Sequence, residues 1–293
     1  MATTADSHDI YYVPHGSYWP MVGSVALFLL LGGVASSLGS ATGGVYAIYL
    51  GAALLLVMLF GWFGDVIRES EGGQYNAQVD RTFRWGMSWF IFSEVMFFAA
   101  FFGALFYGRV LSMEWLGGAG HGAATHQFLW PAFEAIWPHN GNGPAAMGGE
   151  FAHMGPWGLP AINTLILLTS GVTVTYAHHA MKADNRKGLI LGLSLTVALG
   201  FLFVALQAEE YIHAYQELNL TLNTGIYGST FFMLTGFHGL HVTLGAIMLT
   251  VVLIRALAGH FTPERHFAFE AAAWYWHFVD VVWLGLFVFV YWF

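Results

Sequence analysis

The chain has 293 residues, of which 57% are hydrophobic, 17% aromatic and only 9% charged, with a mean hydropathy of +0.60. A water-soluble domain carries about 25% charged residues, so this chain cannot cover a water-facing surface and reads as a polytopic membrane protein. Its net charge of −8 comes without a basic patch, which argues against a nucleic-acid partner, and the absence of cysteine excludes disulfides, thiolate metal sites and cysteine nucleophiles.

Residues 1–17 are a short polar N-terminal segment with His8 and His15. They contain no Lys or Arg, so no cleavable signal peptide is expected and the first apolar run stays as a span. That run extends from Tyr18 to Leu38. A Gly/Ser/Thr link, Gly39 to Gly44, leads to a second run from Val45 to Phe63. Each is near the roughly 20 residues needed to cross a hydrocarbon core of about 30 Å, and the tight link predicts an antiparallel hairpin. The third run, Gly86 to Gly108, contains Ser93-Glu94-Val95-Met96-Phe97-Phe98, with Glu94 as its sole Asp, Glu, Lys, Arg or His. Residues 111–157 form the longest interruption, rich in Gly, His and Pro and free of Lys and Arg. Four further runs follow: Gly158–Met181, Leu189 to about Ala208, Tyr227–Ile254, and Ala271 to the C-terminus. The expected fold is therefore all-α with seven transmembrane helices. Its organisation is a terminal segment (1–17), spans I–II (18–66), an inner loop (67–85), and spans III–VII (86–293) with an outer loop (111–157).

Basic residues orient this topology. Eight of the nine Lys and Arg fall in alternate links: Arg68, Arg81 and Arg84; Lys182, Arg186 and Lys187; Arg255 and Arg265. Arg109 alone lies on the other side. The positive-inside rule then places the N-terminus inside and the C-terminus outside, which requires an odd number of spans.

An acidic residue at a bilayer centre costs roughly 2.5–3.5 kcal/mol on insertion scales and needs a partner or a task. Glu94 lies about 12 Å along its span from the inner side at 1.5 Å per residue. It reads either as a proton-handling, carbodiimide-reactive carboxyl or as a protonated glutamate hydrogen-bonded between helices. Span VI carries His238 and His241, and span VII carries His277 and Asp280; each pair is three residues apart and shares a helix face. Span V ends with Gln207, Glu209 and Glu210. These groups cannot face lipid and should meet inside the bundle, through interhelical hydrogen bonds or as a histidine–carboxylate metal site. A di-iron site would call for paired Glu-x-x-His motifs, and neither histidine of span VI has a Glu three residues before it. Haem ligation by His238, His241 or His277 is less economical than packing. His178-His179, at the inner end of span IV beside Lys182, reads as an interfacial anchor. His121, His126, His139 and His153 of the outer loop lack ligand-like spacing and read as surface residues. No phosphate-binding loop, dinucleotide fingerprint, serine-nucleophile motif or c-type haem motif is present.

Several segments resemble subunit III of the haem–copper cytochrome c oxidases. They are Asp65-Val66-Ile67-Arg68-Glu69-Ser70, the Glu94 hexapeptide, Leu159-Pro160-Ala161-Ile162-Asn163-Thr164 and Ala177-His178-His179. Gly228-Ser229-Thr230-Phe231-Phe232, Thr235-Gly236-Phe237-His238-Gly239-Leu240-His241-Val242 and the long stretch from Phe269 to Trp283 complete the set. The likeness covers nearly the whole chain in order. It implies two groups of helices, I–II and III–VII, separated by a V-shaped cleft filled with phospholipid. It implies a non-catalytic subunit of a proton-pumping terminal oxidase, with no redox centre or metal of its own. Haem and copper would reside in subunits I and II, with subunit I packed directly against this chain. The resemblance also implies that Glu94 is the carbodiimide-reactive carboxyl, and that Arg255, Trp62, Phe63, Glu69 and Phe98 contact lipid in the cleft. It implies support of proton uptake, a bacterial cytoplasmic membrane location and a place in a respiratory supercomplex. Three positions depart from the family's habit: Trp62-Phe63 where two tryptophans are common, Gly73-Gln74-Tyr75 where a histidine follows the glycine, and Tyr176 where tryptophan precedes Ala-His-His. The alternatives are a related quinol oxidase, a self-contained transporter or channel built on Glu94, and a di-metal membrane oxygenase.

Overall fold

The computed structural model describes residues 12, 16–40, 43–138 and 149–292; His8, His15 and His139 lie outside them. Among the described residues the secondary structure is helical. The order is α1 (Trp19–Leu38), α2 (Gly44–Glu71), α3 (Ala77–Phe106), α4 (Met113–Leu116), α5 (Ala123–Phe128), α6 (Leu159–Lys182), α7 (Arg186–Gln216), α8 (Gly225–Ala258) and α9 (Phe267–Leu286). A wide-turn segment, Tyr107–Ser112, joins α3 to α4, and another, Phe287–Trp292, ends α9. Seven of these helical stretches are long and apolar enough to span a bilayer.

Several helices outrun the apolar runs that announce them. Residues 67–85, expected as an inner loop, are helical except for a short turn, because α2 continues to Glu71 and α3 starts at Ala77. The polar turns support themselves locally: Arg68 pairs with Asp65 three residues earlier, and Arg84 Nε lies 2.8 Å from Asp80 Oδ2 four residues earlier. Asn76 accepts the Val79 N–H at 3.0 Å and begins α3. Asn185 does the same for α7, accepting the Gly188 N–H at 3.0 Å. Gly259, with φ of +80°, ends α8 in the left-handed conformation that glycine adopts without steric cost.

The chain divides into two compact units, Met1–Trp85 and Gly86–Phe293. In the first, α1 and α2 pair antiparallel at glycines. A Cβ on Gly33 would lie 2.7 Å from Ile48 N, and one on Gly51 would lie 2.6 Å from Leu30 N. Backbones that close gain contacts unavailable to larger residues. Trp19 Nε1 donates to Asp65 Oδ2 at 2.6 Å, tying the start of α1 to α2.

In the second unit, α6, α7, α8 and α9 surround an aromatic core. Trp276 and Trp283 are fully buried, and each indole N–H finds a hydroxyl: Trp276 donates to Ser170 Oγ at 2.8 Å, Trp283 to Thr164 Oγ1 at 2.9 Å. Buried indoles need such partners. Gly200 and Gly245 leave room for the Trp276 ring, since an added Cβ would approach it to 2.7 and 2.8 Å. The part of α3 within this unit docks through phenylalanines. Phe97 meets Phe237 edge-on at 5.1 Å, and Phe98 lies 6.0 Å from Phe278. Part of the 111–157 loop is packed as well: Phe133 and Met154 are buried, and the Trp137 ring lies 5.6 Å from Tyr227.

Candidate functional site

Glu94 on α3 faces His241 on α8, with Oε2 2.9 Å from Nε2. The other ring nitrogen, Nδ1, lies 2.6 Å from the Phe237 carbonyl. A carbonyl only accepts, so Nδ1 carries a hydrogen. The contact between Nε2 and Oε2 then requires one more proton, either on the imidazole, giving an ion pair, or on the carboxyl, giving two neutral partners. The pair therefore shares one exchangeable proton. Its side chains are mostly covered, at 20% exposure for Glu94 and 11% for His241. Phe98 packs edge-on against the imidazole at 5.0 Å, and Tyr275 stacks on it at 6.3 Å. Such an enclosure strengthens the pair by excluding water.

The other intramembrane polar residues take separate partners. His238 is fully buried, and its Nε2 donates to the Val279 carbonyl at 3.2 Å. His277 lies between Asp280 (Nδ1 to Oδ2, 3.4 Å) and Thr175 (Nε2 to Oγ1, 3.2 Å). Glu210 is fully buried and accepts the Tyr291 hydroxyl at 2.5 Å. Its second oxygen and both amide atoms of Gln207 are buried without a protein hydrogen-bond partner, whereas Glu209 is exposed. The set does not converge on one centre.

Among the described residues, the group whose ligand atoms could reach one metal ion is a different one. His178, His266 and Glu270 place one ligand atom each within 4.8 Å of one another. His178, expected as an interfacial anchor, is half-buried, with its ring 5.4 Å from Phe269 and 5.7 Å from His266; His179 is exposed. Sequence reasoning missed this meeting because His266 and Glu270 are i,i+4 neighbours in a segment read as a polar link, far from His178 along the chain. In the outer loop, His121 and His153 are exposed, and His126 is partly buried with Nδ1 2.9 Å from the Leu116 carbonyl.

The residues expected to contact lipid differ in setting. Trp62 and Phe63 stack at 5.5 Å and are about half exposed. Glu69 accepts the Tyr75 hydroxyl at 2.7 Å, a contact that closes the turn between α2 and α3. Burial and the Glu69 carboxylate push the Tyr75 phenol above its ordinary pKa, keeping it a donor. Arg255 is 9% exposed, with its guanidinium 4.7 Å above the Phe261 ring. Phe98 is 2% exposed and forms a wall of the Glu94–His241 pair.

A family model described as "Cytochrome c oxidase subunit III" matches residues 8–293. Relatives named "Cytochrome c oxidase subunit 3" include those of Squalus acanthias, 44% identical over 283 residues, and Marchantia polymorpha, 45% identical over 286 residues. Each alignment covers 96% of this chain and 96% of the relative.

Proposed function

The chain belongs to the cytochrome c oxidase subunit III family, and from that premise we propose that it sustains proton uptake and holds structural phospholipid for the complex. It is a multi-pass membrane protein and a subunit of an oxidoreductase complex with other subunits. The haems and copper that carry electrons to oxygen belong, in this reading, to subunits I and II, and subunit I is the direct neighbour. The membrane is the bacterial cytoplasmic membrane, with the N-terminus inside and the C-terminus outside, in keeping with the charge distribution of the links.

The observation that supports a proton-related role is the Glu94–His241 pair. A carboxyl and an imidazole 2.9 Å apart share one exchangeable proton in an enclosed setting of Phe98 and Tyr275. Within such a pair the proton can pass between carboxyl and imidazole while the pair as a whole stays neutral in its apolar surroundings. Lipid contact is supported by the half-exposed Trp62–Phe63 stack; for Arg255, nearly buried in the last turn of α8, the headgroup role rests on the family resemblance.

The test begins with affinity purification of the tagged chain in mild detergent. Two further chains with haem spectra and stoichiometric copper should come with it; a chain that purifies alone and transports ions in vesicles would instead make it a transporter. Within the intact complex, Glu94→Gln should assemble and lose carbodiimide labelling. Full labelling in that variant would remove Glu94 as the reactive group. Arg255→Ala should lower the phospholipid retained by the complex in native mass spectrometry, and unchanged lipid would remove the headgroup role.

A further inference from the structure

The face shared by α6 and α9 carries polar groups where hydrocarbon cannot satisfy them. A groove of about 600 Å³ runs between these helices, walled by apolar residues such as Leu168, Val172 and Val281, with Thr175, His277 and Asp280 also lining it. His277 is 45% exposed at its side chain. It lies about 15 Å along the span Phe267–Trp292, whose length is roughly 39 Å at 1.5 Å per residue. That is mid-span, far from either headgroup layer, and acyl chains offer no hydrogen-bonding group. Ionisable side chains at such depth face protein or a hydrated cavity.

Proton counting defines what the groove lacks. The Thr175 hydroxyl donates to the Gly171 carbonyl at 2.9 Å and so accepts from His277 Nε2 at 3.2 Å. Nε2 carries a hydrogen, and the 3.4 Å contact between Nδ1 and Asp280 Oδ2 needs one more proton. Whichever atom holds it, Oδ2 keeps an unused lone pair, and Oδ1 is buried with no protein partner. Gly171 lets Oδ2 approach the α6 backbone closely, since a Cβ there would come within 2.5 Å of it. The cluster is thus short of donors.

We propose that this groove receives a transmembrane helix of another subunit of the oxidase, and that this helix presents a hydrogen-bond-donating side chain to the His277–Asp280 pair. The proposal rests on membership of a multi-subunit oxidase and adds which face is covered and by what chemistry.

The test is photo-crosslinking in the assembled complex. A benzoylphenylalanine replaces Val172, a groove residue that is 69% exposed and outside the polar cluster. The expected product is an adduct with a transmembrane peptide of a different subunit that carries a donor side chain. Adducts with lipid only, with a second copy of this chain, or with another segment of the same chain would overturn the proposal. A second measurement uses the double variant His277→Leu, Asp280→Leu, which keeps the groove's bulk. It should dissociate from the complex about threefold more readily with rising detergent, the scale of one interhelical hydrogen bond in a membrane. Retention equal to the parent would count against docking there. If the parent chain brings no haem-bearing partners at all, the oxidase reading itself fails, a result distinct from an intact complex with the wrong crosslink.

Discussion

The two compact units solve the same problem, burial of apolar helices, by different means. In Met1–Trp85, α1 and α2 touch backbone to backbone at Gly33 and Gly51, and the large side chains point away: Phe28, Tyr46 and Phe60 are each more than three-quarters exposed. Its side-chain polar contacts are at the helix ends, Trp19 to Asp65 and Tyr75 to Glu69. In Gly86–Phe293 a core of large side chains points inward, Trp276, Trp283, Phe203 and Phe231 among them, and polar groups are buried with it. The contrast is a matter of geometry. Two helices share only one face each, so their remaining surface must meet lipid or partners, whereas a helix among several neighbours can bury indoles and imidazoles and satisfy them across the bundle. Exchangeable protons are therefore held in the larger unit and apolar surface is displayed by the smaller one.

Substitutions can break this contrast, and their costs should fall in order. Trp276→Ala should be the most severe, removing a fully buried indole and stranding Ser170, at about 3–5 kcal/mol. Thermal unfolding of the purified complex would show it; a loss no greater than that of an exposed-site change would mean the core is not where the stability lies. Gly51→Leu should come next, at about 1–3 kcal/mol, because the side chain must force the α1 backbone aside. Cysteines introduced at facing positions of α1 and α2 report this directly, and undiminished disulfide formation in the variant would refute close glycine packing. His241→Gln should be the mildest, about 0.6 kcal/mol for one interhelical hydrogen bond in a membrane. Its decisive readout is the Glu94 carboxyl band in infrared difference spectra, which should shift when the shared proton loses its imidazole partner; an unmoved band would separate Glu94 from His241.

Much of the architecture was legible along the chain. Stretches of some 20 apolar residues are a local property, and the seven helices long and apolar enough to span a bilayer follow them. The His277–Asp280 relation was also legible, since i,i+3 residues on a helix must be neighbours. The ends of α2 and α3 were not, because polar turns held by Asp65–Arg68 and Asp80–Arg84 continue a helix beyond its hydrophobic stretch. Phe98 shows the same limit: the motif marked it, but only packing against His241 and Phe278 placed it inside the core.

Glu94 marks the division between the two kinds of information. Its cost in an apolar run follows from residue type and position, so the need for a partner was plain before any fold was known. Which partner was not, because His241 is 147 residues away and pattern alone gives each histidine of α8 an equal claim. The tertiary structure decided it by rotation about the helix axis. One α8 histidine faces α3 and shares a proton with Glu94, while His238 faces α9 and bonds the Val279 carbonyl. Helix rotation is set by side-chain packing over the whole bundle, and no local stretch of sequence encodes it.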